Sequence, residues 1–358
     1  MTVDDAKDGI TVKMTFREAI RSAMVQAMEN DPRVVLMGED IGIYGGAFKV
    51  TAGLMDQFGP RRVIETPISE NSFAGVAVGA AMTGLRPVVE FMFMDFMALA
   101  MDQICNHAAK ISYMYAGQCA VPVVFRAPYG AGFGYGASHS QCLEAWFAHT
   151  PGLKVVIPST PKSAKGLLLS AIQDNSPVVF LEHKALYNME GEVEAEPFVE
   201  PLGCVRTVRP GRDATVVGYG RTVWLVVEAA RRLESRIDVE VLDLQTLVPL
   251  DRDGIVESVC KTGRLVVVED DTLTCGVGAE IVACVAERMV LASPAVRVAT
   301  ADVPMPCCET LERAAMPSVQ RVVEAVERTV KGAHELGDHD TQDRYKRDPG
   351  RRAEVACA

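Results

Sequence analysis

Short runs of apolar, mostly β-branched residues recur along the chain, and they constrain its fold more than any other feature. The runs are continuous rather than alternating, which is typical of strands buried on both faces of a parallel sheet. Segments with a helical pattern lie between them. The chain has 358 residues, more than a single small core accommodates. The pattern predicts an α/β protein of two doubly wound, mostly parallel-sheet domains, with strands at residues 34–37, 88–93, 121–125, 155–157 and 178–181, then 215–217, 239–242, 265–268 and 296–298.

Local signals predict the helices between these strands. Thr15 and Glu18 have the spacing of a capping box, which predicts a helix that begins there and runs toward Asn30. Two further helices are predicted over residues 73–83 and 95–115.

A stretch rich in Glu and Pro divides the two series of strands. Residues 188–203 have little periodicity, which indicates a linker. The predicted organisation is a first domain at 1–190, a linker at 191–205, a second domain at 206–332 and a polar, disordered tail at 333–358.

Charge and cysteine usage argue against several classes of partner. The net charge of −11, without a dense Lys/Arg block, disfavours nucleic acid and membrane surfaces as partners. No stretch approaches the ~20 apolar residues of a membrane helix, and the N-terminus does not resemble a secretion signal. None of the ten cysteines forms a Cys-x-x-Cys pair, which favours free thiols and a cytoplasmic location.

The glycine motifs of nucleotide-binding folds are incomplete. The Gly-x-Gly segments at 130–132, 218–220 and 276–278 lack the third glycine of the dinucleotide fingerprint, because Tyr135, Val223 and Ile281 stand in its place. A P-loop is also absent. The glycines of residues 130–136 are therefore interpreted either as a mobile loop beside a ligand or as a flexible connection.

Three residues are candidates for chemistry, each with a simpler structural explanation. Glu70 precedes a small, apolar helix, where the helix dipole alone favours a carboxylate. His139 follows the glycine-rich loop; a lone loop histidine is more often incidental, but this setting suits a site that admits substrate. Phe96 belongs either to the core or to a platform under a flat ring.

Several motifs around these residues point to a known family. The chain resembles the β subunit of the thiamine-diphosphate-dependent decarboxylase (dehydrogenase) component of 2-oxo acid or acetoin dehydrogenase complexes, in the transketolase-like superfamily. The resemblance covers residues 15–330 in order. It is carried by Gly-Glu-Asp at 38–40, Gly-Gly-Ala-Phe-Lys-Val at 45–50, Thr-Pro-Ile-Ser-Glu at 66–70, Gly-Leu-Arg-Pro-Val-Val-Glu at 84–90, His-Ser-Gln at 139–141, Pro-Gly-Leu-Lys-Val-Val at 151–156, Val-Pro-Leu-Asp at 248–251 and Asp-Val-Pro-Met-Pro at 302–306.

The resemblance implies a pyrimidine-binding domain followed by a transketolase C-terminal-like domain, and it implies roles for four residues. Glu70 corresponds to the carboxyl group that binds the pyrimidine nitrogen of thiamine diphosphate and promotes loss of the thiazolium proton. Phe96 corresponds to the aromatic residue packed on the pyrimidine, and His139 to the histidine that handles the substrate or the lipoyl acceptor. Glu39 corresponds to a carboxylate near the pyrimidine pocket.

The resemblance also implies partners and ions. Thiamine enzymes hold the diphosphate through Mg²⁺ with a Gly-Asp-Gly segment, which this sequence lacks. The Mg²⁺ ligands are therefore expected from an α subunit, in an α2β2 heterotetramer that docks on a lipoyl acyltransferase core. A structural monovalent cation such as K⁺ is expected at loop carbonyls near Val123, Ala171 and Asp174.

The sequence departs from the family pattern at three places. Phe133 and Tyr135 replace smaller or basic residues in the loop 130–136, which affects the substrate entrance. Cys307 replaces an aromatic residue, and the tail after Lys331 extends beyond the usual end of the family.

Three hypotheses follow. The favoured one is a catalytic β subunit acting on pyruvate or acetoin, with branched-chain 2-oxo acids as the alternative substrate. The others are a non-catalytic assembly subunit, which would need none of Glu70, Phe96 and His139, and a complete transketolase-like enzyme, which would need the missing metal motif.

Overall fold

The computed structural model describes residues 10–331, so the predicted polar tail, residues 333–358, lies outside the described residues. The strands are β1 Thr11–Thr15, β2 Val34–Gly38, β3 Val63–Glu65, β4 Arg86–Glu90, β5 Val124–Tyr129, β6 Lys154–Val156, β7 Val178–His183, β8 Glu190–Glu194, β9 Arg206–Arg209, β10 Ala214–Gly218, β11 Val239–Asp243, β12 Thr246–Val248, β13 Leu265–Thr272 and β14 Val296–Thr300. The α-helices are α1 Phe16–Asn30, α2 Leu54–Phe58, α3 Glu70–Met82, α4 Met94–Met97, α5 Ala109–Met114, α6 Glu144–Ala148, α7 Pro161–Gln173, α8 Thr222–Leu233, α9 Arg252–Thr262, α10 Val277–Ala286, α11 Glu309–Ala315 and α12 Val319–Lys331.

The first sheet has seven strands in the order β12-β6-β7-β5-β4-β2-β3, and all neighbours are parallel except β12 against β6. Both faces are covered. Val88 and Val124 pack with α1 and α7, whereas the adjacent Val89 and Phe125 pack with α3 and the helical segment after β4. The inner strands β2, β4, β5 and β7 are therefore buried on both sides, which explains why their apolar residues follow one another without alternation.

The second sheet has the order β14-β13-β10-β11-β9, with β9 antiparallel at its edge. Helices α8 and α12 cover one face. Residues of α9 and α10 on the other face, among them Ile255 and Ile281, join the same apolar cluster as Phe73 and Phe125 of the first domain. The fold class of two doubly wound, mostly parallel-sheet domains is thus confirmed.

Some elements differ from the sequence expectations. Strand β12, from the second half of the chain, completes the first sheet, and β8 lies inside the predicted linker, where it pairs with β1. The predicted helix over 95–115 is helical throughout but passes through a 3₁₀ turn, Ala98–Ala100, and a π-helical segment, Asp102–Ala108. Strand β12 is short and strand β8 is polar, so neither was recognisable as an apolar run. The domain limits proposed above stay a prediction.

No helix among residues 10–331 has the length and apolar character needed to cross a membrane.

Candidate active site

The four residues singled out from the sequence lie after neighbouring strands of the first sheet. Glu39 follows β2, Glu70 follows β3 and opens α3, Phe96 follows β4, and His139 follows β5. These strands are neighbours in the order β5-β4-β2-β3. All four side chains therefore belong to the carboxyl edge of one parallel sheet, which is where doubly wound folds bind ligands.

Glu39 and Glu70 form a pair of buried carboxyl groups. Glu39 is 3% exposed and Glu70 is 8% exposed. The backbone N–H of Ser69 donates to Glu39 Oε1 at 3.2 Å. Burial raises the pKa of Glu39, and the nearby charge of Glu70 raises it further. The pair therefore disfavours carrying two negative charges at once.

Aromatic rings surround His139. Its ring centroid lies 5.3 Å from that of Phe96 and 5.0 Å from that of Phe93, both nearly perpendicular. Phe93 also contacts Phe96 at 5.9 Å and Tyr135 at 6.1 Å. The structure therefore brings Phe96 and His139 into direct contact, and Phe93, which was not predicted from the sequence, contacts both rings.

Lys184 is a further residue of this cluster. It follows β7, its Nζ donates to the carbonyl of His139, and it lies 5.0 Å from the Phe93 ring centroid and 5.1 Å from that of Tyr135. Burial lowers the pKa of Lys184 to about 8. Its position directly after an apolar strand was the available sequence signal.

A buried ion triad lies beneath the site. Arg126 on β5 binds Glu182 on β7 with two bonds of 2.7 and 2.6 Å, and it also donates to Glu90 on β4. A Cβ at Gly46 would lie 2.5 Å from Glu90 Oε1, so the loop 45–50 passes directly over the triad. Buried charges of this kind are costly when one partner is removed, so the loss of any member of the triad would destabilise this sheet edge.

The loop 130–136 borders the aromatic cluster. Phe133 and Tyr135 are each 45% exposed, and their rings stack at 5.7 Å. Tyr135 therefore has one face on Phe133 and contacts Phe93 at its edge. Phe133 and Tyr135 therefore lie at the rim of the candidate site.

Val123, Ala171 and Asp174 lie elsewhere. Val123 precedes β5, and Asp174 ends α7, so these residues belong to the amino edge of the sheet. The carbonyl of Val123 accepts from Val178 N–H, and that of Asp174 accepts from the Arg86 guanidinium. The K⁺ site proposed for these carbonyls stays a prediction, and its residues are not part of the candidate active site.

A second buried polar cluster lies between the domains. Tyr219 Oη is 3.1 Å from Glu144 Oε1 and 3.3 Å from Glu269 Oε2. The hydroxyl has one proton to donate, so one of these carboxyl groups needs a proton of its own to complete the contacts. Burial raises the pKa of Glu144. It also raises the pKa of Glu269 to about 7 and that of Asp271 to about 6. Asp271 and Ser140 also line a cavity of about 540 Å³ between the domains.

Comparison with known proteins identifies the domains. The transketolase pyrimidine-binding domain family matches residues 12–190, and the transketolase C-terminal domain family matches residues 203–322. The fold also resembles the chain of a solved split-gene transketolase described as an inactive β4 tetramer, with a TM-score of 0.72, 24% identity and coverage of 90% of this chain and 99% of that chain. A transketolase from Leishmania mexicana gives a TM-score of 0.67 at 18% identity, covering 90% of this chain and 46% of that chain.

Sequence relatives narrow the family. The pyruvate dehydrogenase E1 component subunit beta of Rhizobium meliloti (strain 1021) is 50% identical over 317 residues, 87% of this chain and 69% of that relative. The mitochondrial subunit beta-2 of Oryza sativa subsp. japonica is 49% identical, covering 88% and 86% of the two chains. The subunit beta of Rickettsia felis is 47% identical, covering 88% and 98%. The chain therefore belongs to the family of pyruvate dehydrogenase E1 component β subunits, which are thiamine-diphosphate-dependent proteins with transketolase pyrimidine-binding and C-terminal domains.

Proposed function

We propose that this chain is the β subunit of a pyruvate dehydrogenase decarboxylase component. With an α subunit, in an α2β2 heterotetramer, it decarboxylates pyruvate and passes the acyl group to a lipoyl group on an acyltransferase core. The observation that carries the proposal is the placement of Glu39, Glu70, Phe96 and His139 at one sheet edge in a chain 50% identical to such a subunit. The relatives' names favour pyruvate over acetoin and branched-chain 2-oxo acids.

The residues at this edge fit the pyrimidine end of thiamine diphosphate. Two buried carboxyl groups suit hydrogen bonding to ring nitrogens, and the half-buried ring of Phe96 suits packing on a flat heterocycle. No group of three or more His, Cys, Asp or Glu side chains within residues 10–331 is arranged to hold a metal ion. As the resemblance and the missing Gly-Asp-Gly segment imply, we assign Mg²⁺ and the diphosphate to the α subunit.

The chain's own residues have distinct roles in this proposal. When bound, thiamine diphosphate would supply the nucleophilic carbon for the reaction with the 2-oxo acid. Glu70 holds a proton at the pyrimidine nitrogen, and Glu39 supports it by keeping the pair from carrying two negative charges. Phe96 orients the ring. His139, held by Ser138 Oγ at 3.0 Å from its Nδ1, exchanges protons with the reacting oxygen or the lipoyl sulfur.

Co-expression tests the proposal. The chain is produced together with the products of neighbouring genes, and the purified complex is assayed with thiamine diphosphate and Mg²⁺ on pyruvate, branched-chain 2-oxo acids and acetoin. We expect a second chain that carries a Gly-Asp-Gly segment, and activity only in the mixture, highest with pyruvate. Preference for acetoin or a branched-chain acid would reassign the substrate.

Two outcomes would contradict the proposal more deeply. A homo-oligomer that binds thiamine diphosphate tightly and turns over alone would refute the half-site assignment. An assembled but inactive complex that still docks on the acyltransferase core would favour a scaffold.

We further propose a cytoplasmic location, since the cysteines within residues 10–331 are all free thiols.

A further inference from the structure

The glycine-rich loop 130–136 of the first domain is hydrogen-bonded to a single side chain of the second. The backbone N–H of Gly132 donates to Glu312 Oε1 at 2.8 Å. The backbone N–H of Gly134 donates to Glu312 Oε1 at 3.2 Å and to Oε2 at 3.1 Å. Glu312 lies on α11 and is only 2% exposed. One buried carboxylate thus accepts hydrogen bonds from two loop amides that lie about 180 residues earlier in the chain.

The loop also packs directly on the residues that precede α11. Gly134 and Gly136 have φ angles of +67° and +74°, which side chains rarely adopt. A Cβ at Gly134 would lie 3.1 Å from the carbonyl oxygen of Cys307, and one at Gly136 would collide with Cys307 Sγ. The glycines therefore permit the close approach that the Glu312 hydrogen bonds require.

This contact is transmitted to the candidate active site. The loop carries Tyr135, whose ring contacts Phe93, and Phe93 contacts His139. Lys184 lies beside Tyr135 and donates to the carbonyl of His139. The charge of Glu312 also acts on Lys184, where it partly offsets the lowering of the Lys184 pKa by burial. Phe93 and Tyr135 thus form an aromatic wall beside His139. Movement of the loop would therefore move this wall.

We propose that Glu312 is a positioning residue that anchors the loop 130–136 and so fixes the aromatic wall of the substrate pocket. Hydrogen bonds from backbone N–H groups to an ionised, buried carboxylate are stronger than neutral ones, so one side chain suffices for this. The second domain thereby takes part in substrate binding. The effect on substrate binding rests on the proposed function, whereas the anchoring itself does not.

Hydrogen–deuterium exchange of the assembled complex tests the anchor. Glu312→Ala is expected to speed amide exchange in peptides covering residues 130–138 by about 10-fold, because Gly132 and Gly134 lose their acceptor. Glu312→Gln keeps one acceptor oxygen and the side-chain volume, and it is expected to give a smaller increase. Glu309→Ala, an exposed carboxylate on the same helix, is the matched control. Unchanged exchange in both Glu312 variants would overturn the anchor.

Steady-state kinetics tests the positioning role. The Glu312 variants are expected to raise KM for the 2-oxo acid by about 10-fold while kcat stays within about two-fold, because substrate binding depends on the wall. Glu309→Ala should leave both constants unchanged. Faster amide exchange with an unchanged KM would overturn the role of Glu312 in positioning the pocket, but it would leave its role as the anchor of the loop intact. A complex without any 2-oxo acid activity would refute the proposed function instead, and the exchange measurement would still report on Glu312.

Discussion

Glu70 shows how burial separates a structural explanation from a functional one. A carboxylate in the first turn of α3 is stabilised by the helix dipole, and an exposed side chain would obtain this benefit at little cost. Glu70 is instead 8% exposed and lies near a second buried carboxyl group, Glu39. Burial of two acids together costs free energy, which the dipole alone does not require. The role proposed for Glu70, binding a proton-accepting ring, would account for this cost.

At this scale, Glu70→Gln is expected to lower decarboxylation by at least ~100-fold, because an amide does not hold a transferable proton at the ring nitrogen. Assembly with the α subunit and the urea midpoint should stay unchanged. The measurement is turnover of the reconstituted complex, with Glu234→Gln on the exposed end of α8 as the control. Normal turnover of Glu70→Gln would exclude the assigned role.

Helix α1 illustrates an element whose limits follow from local signals. Thr15 Oγ1 accepts from Glu18 N–H at 3.2 Å, and Thr15 N–H donates to Glu18 Oε2 at 2.8 Å, so the predicted capping box is present. The helix ends at Asn30, as predicted. Its buried side chains, including Phe16 and Ile20, pack against the first sheet and α7. The interactions that define its start lie within four residues, which is why the sequence alone was sufficient.

For this element, Thr15→Ala is expected to lower the free energy of unfolding by about 1 kcal/mol, because the backbone N–H of Glu18 loses its acceptor, Thr15 Oγ1. Urea unfolding followed by circular dichroism measures the change. Thr11→Ala, at an exposed position of β1, serves as the control. Equal stability of the two variants would show that the cap contributes nothing in this context.

The whole molecule depends on an interface between its domains that contains buried acids. Asp271 and Glu269 of β13 lie with Glu144 of the first domain, and Arg221 pairs with the adjacent Asp270. Removal from water is the main reason why the pKa of Asp271 rises from 3.8 to about 6 and that of Glu269 from 4.5 to about 7. The folded protein therefore retains protons that the unfolded chain releases between about pH 4 and pH 7.

The contribution of these two groups to stability should accordingly be lost as pH rises through this window. At Asp271 and Glu269 the folded state binds more protons than the unfolded state there, so their contribution to the slope of the unfolding free energy with pH is negative. Asp271→Asn removes one such group and is expected to flatten the decline, with a gain of up to about 3 kcal/mol at pH 8. Urea unfolding from pH 4 to pH 8 measures this, with the exposed Asp56→Asn as the control. Parallel pH profiles for Asp271→Asn and the unmodified chain would refute the assignment.

The sequence by itself determined the two α/β domains and the candidates Glu39, Glu70, Phe96 and His139. The apolar strands were recognisable because they are buried on both faces, and the helix α1 because its cap is local. The candidate site residues were identified from the family resemblance rather than from sequence periodicity, and their assigned roles stay predictions.

Only the tertiary structure decided which distant residues meet. Strand β12 crosses into the first sheet, Lys184 reaches the carbonyl of His139, and Glu312 binds a loop of the other domain. These contacts join residues far apart in the chain. Nothing in the local sequence around each residue distinguishes it from an ordinary residue of a strand, loop or helix. Their partners are set by the packing of the two sheets through one shared apolar cluster. Local sequence patterns do not encode that packing, because the same burial pattern is compatible with many arrangements of the strands.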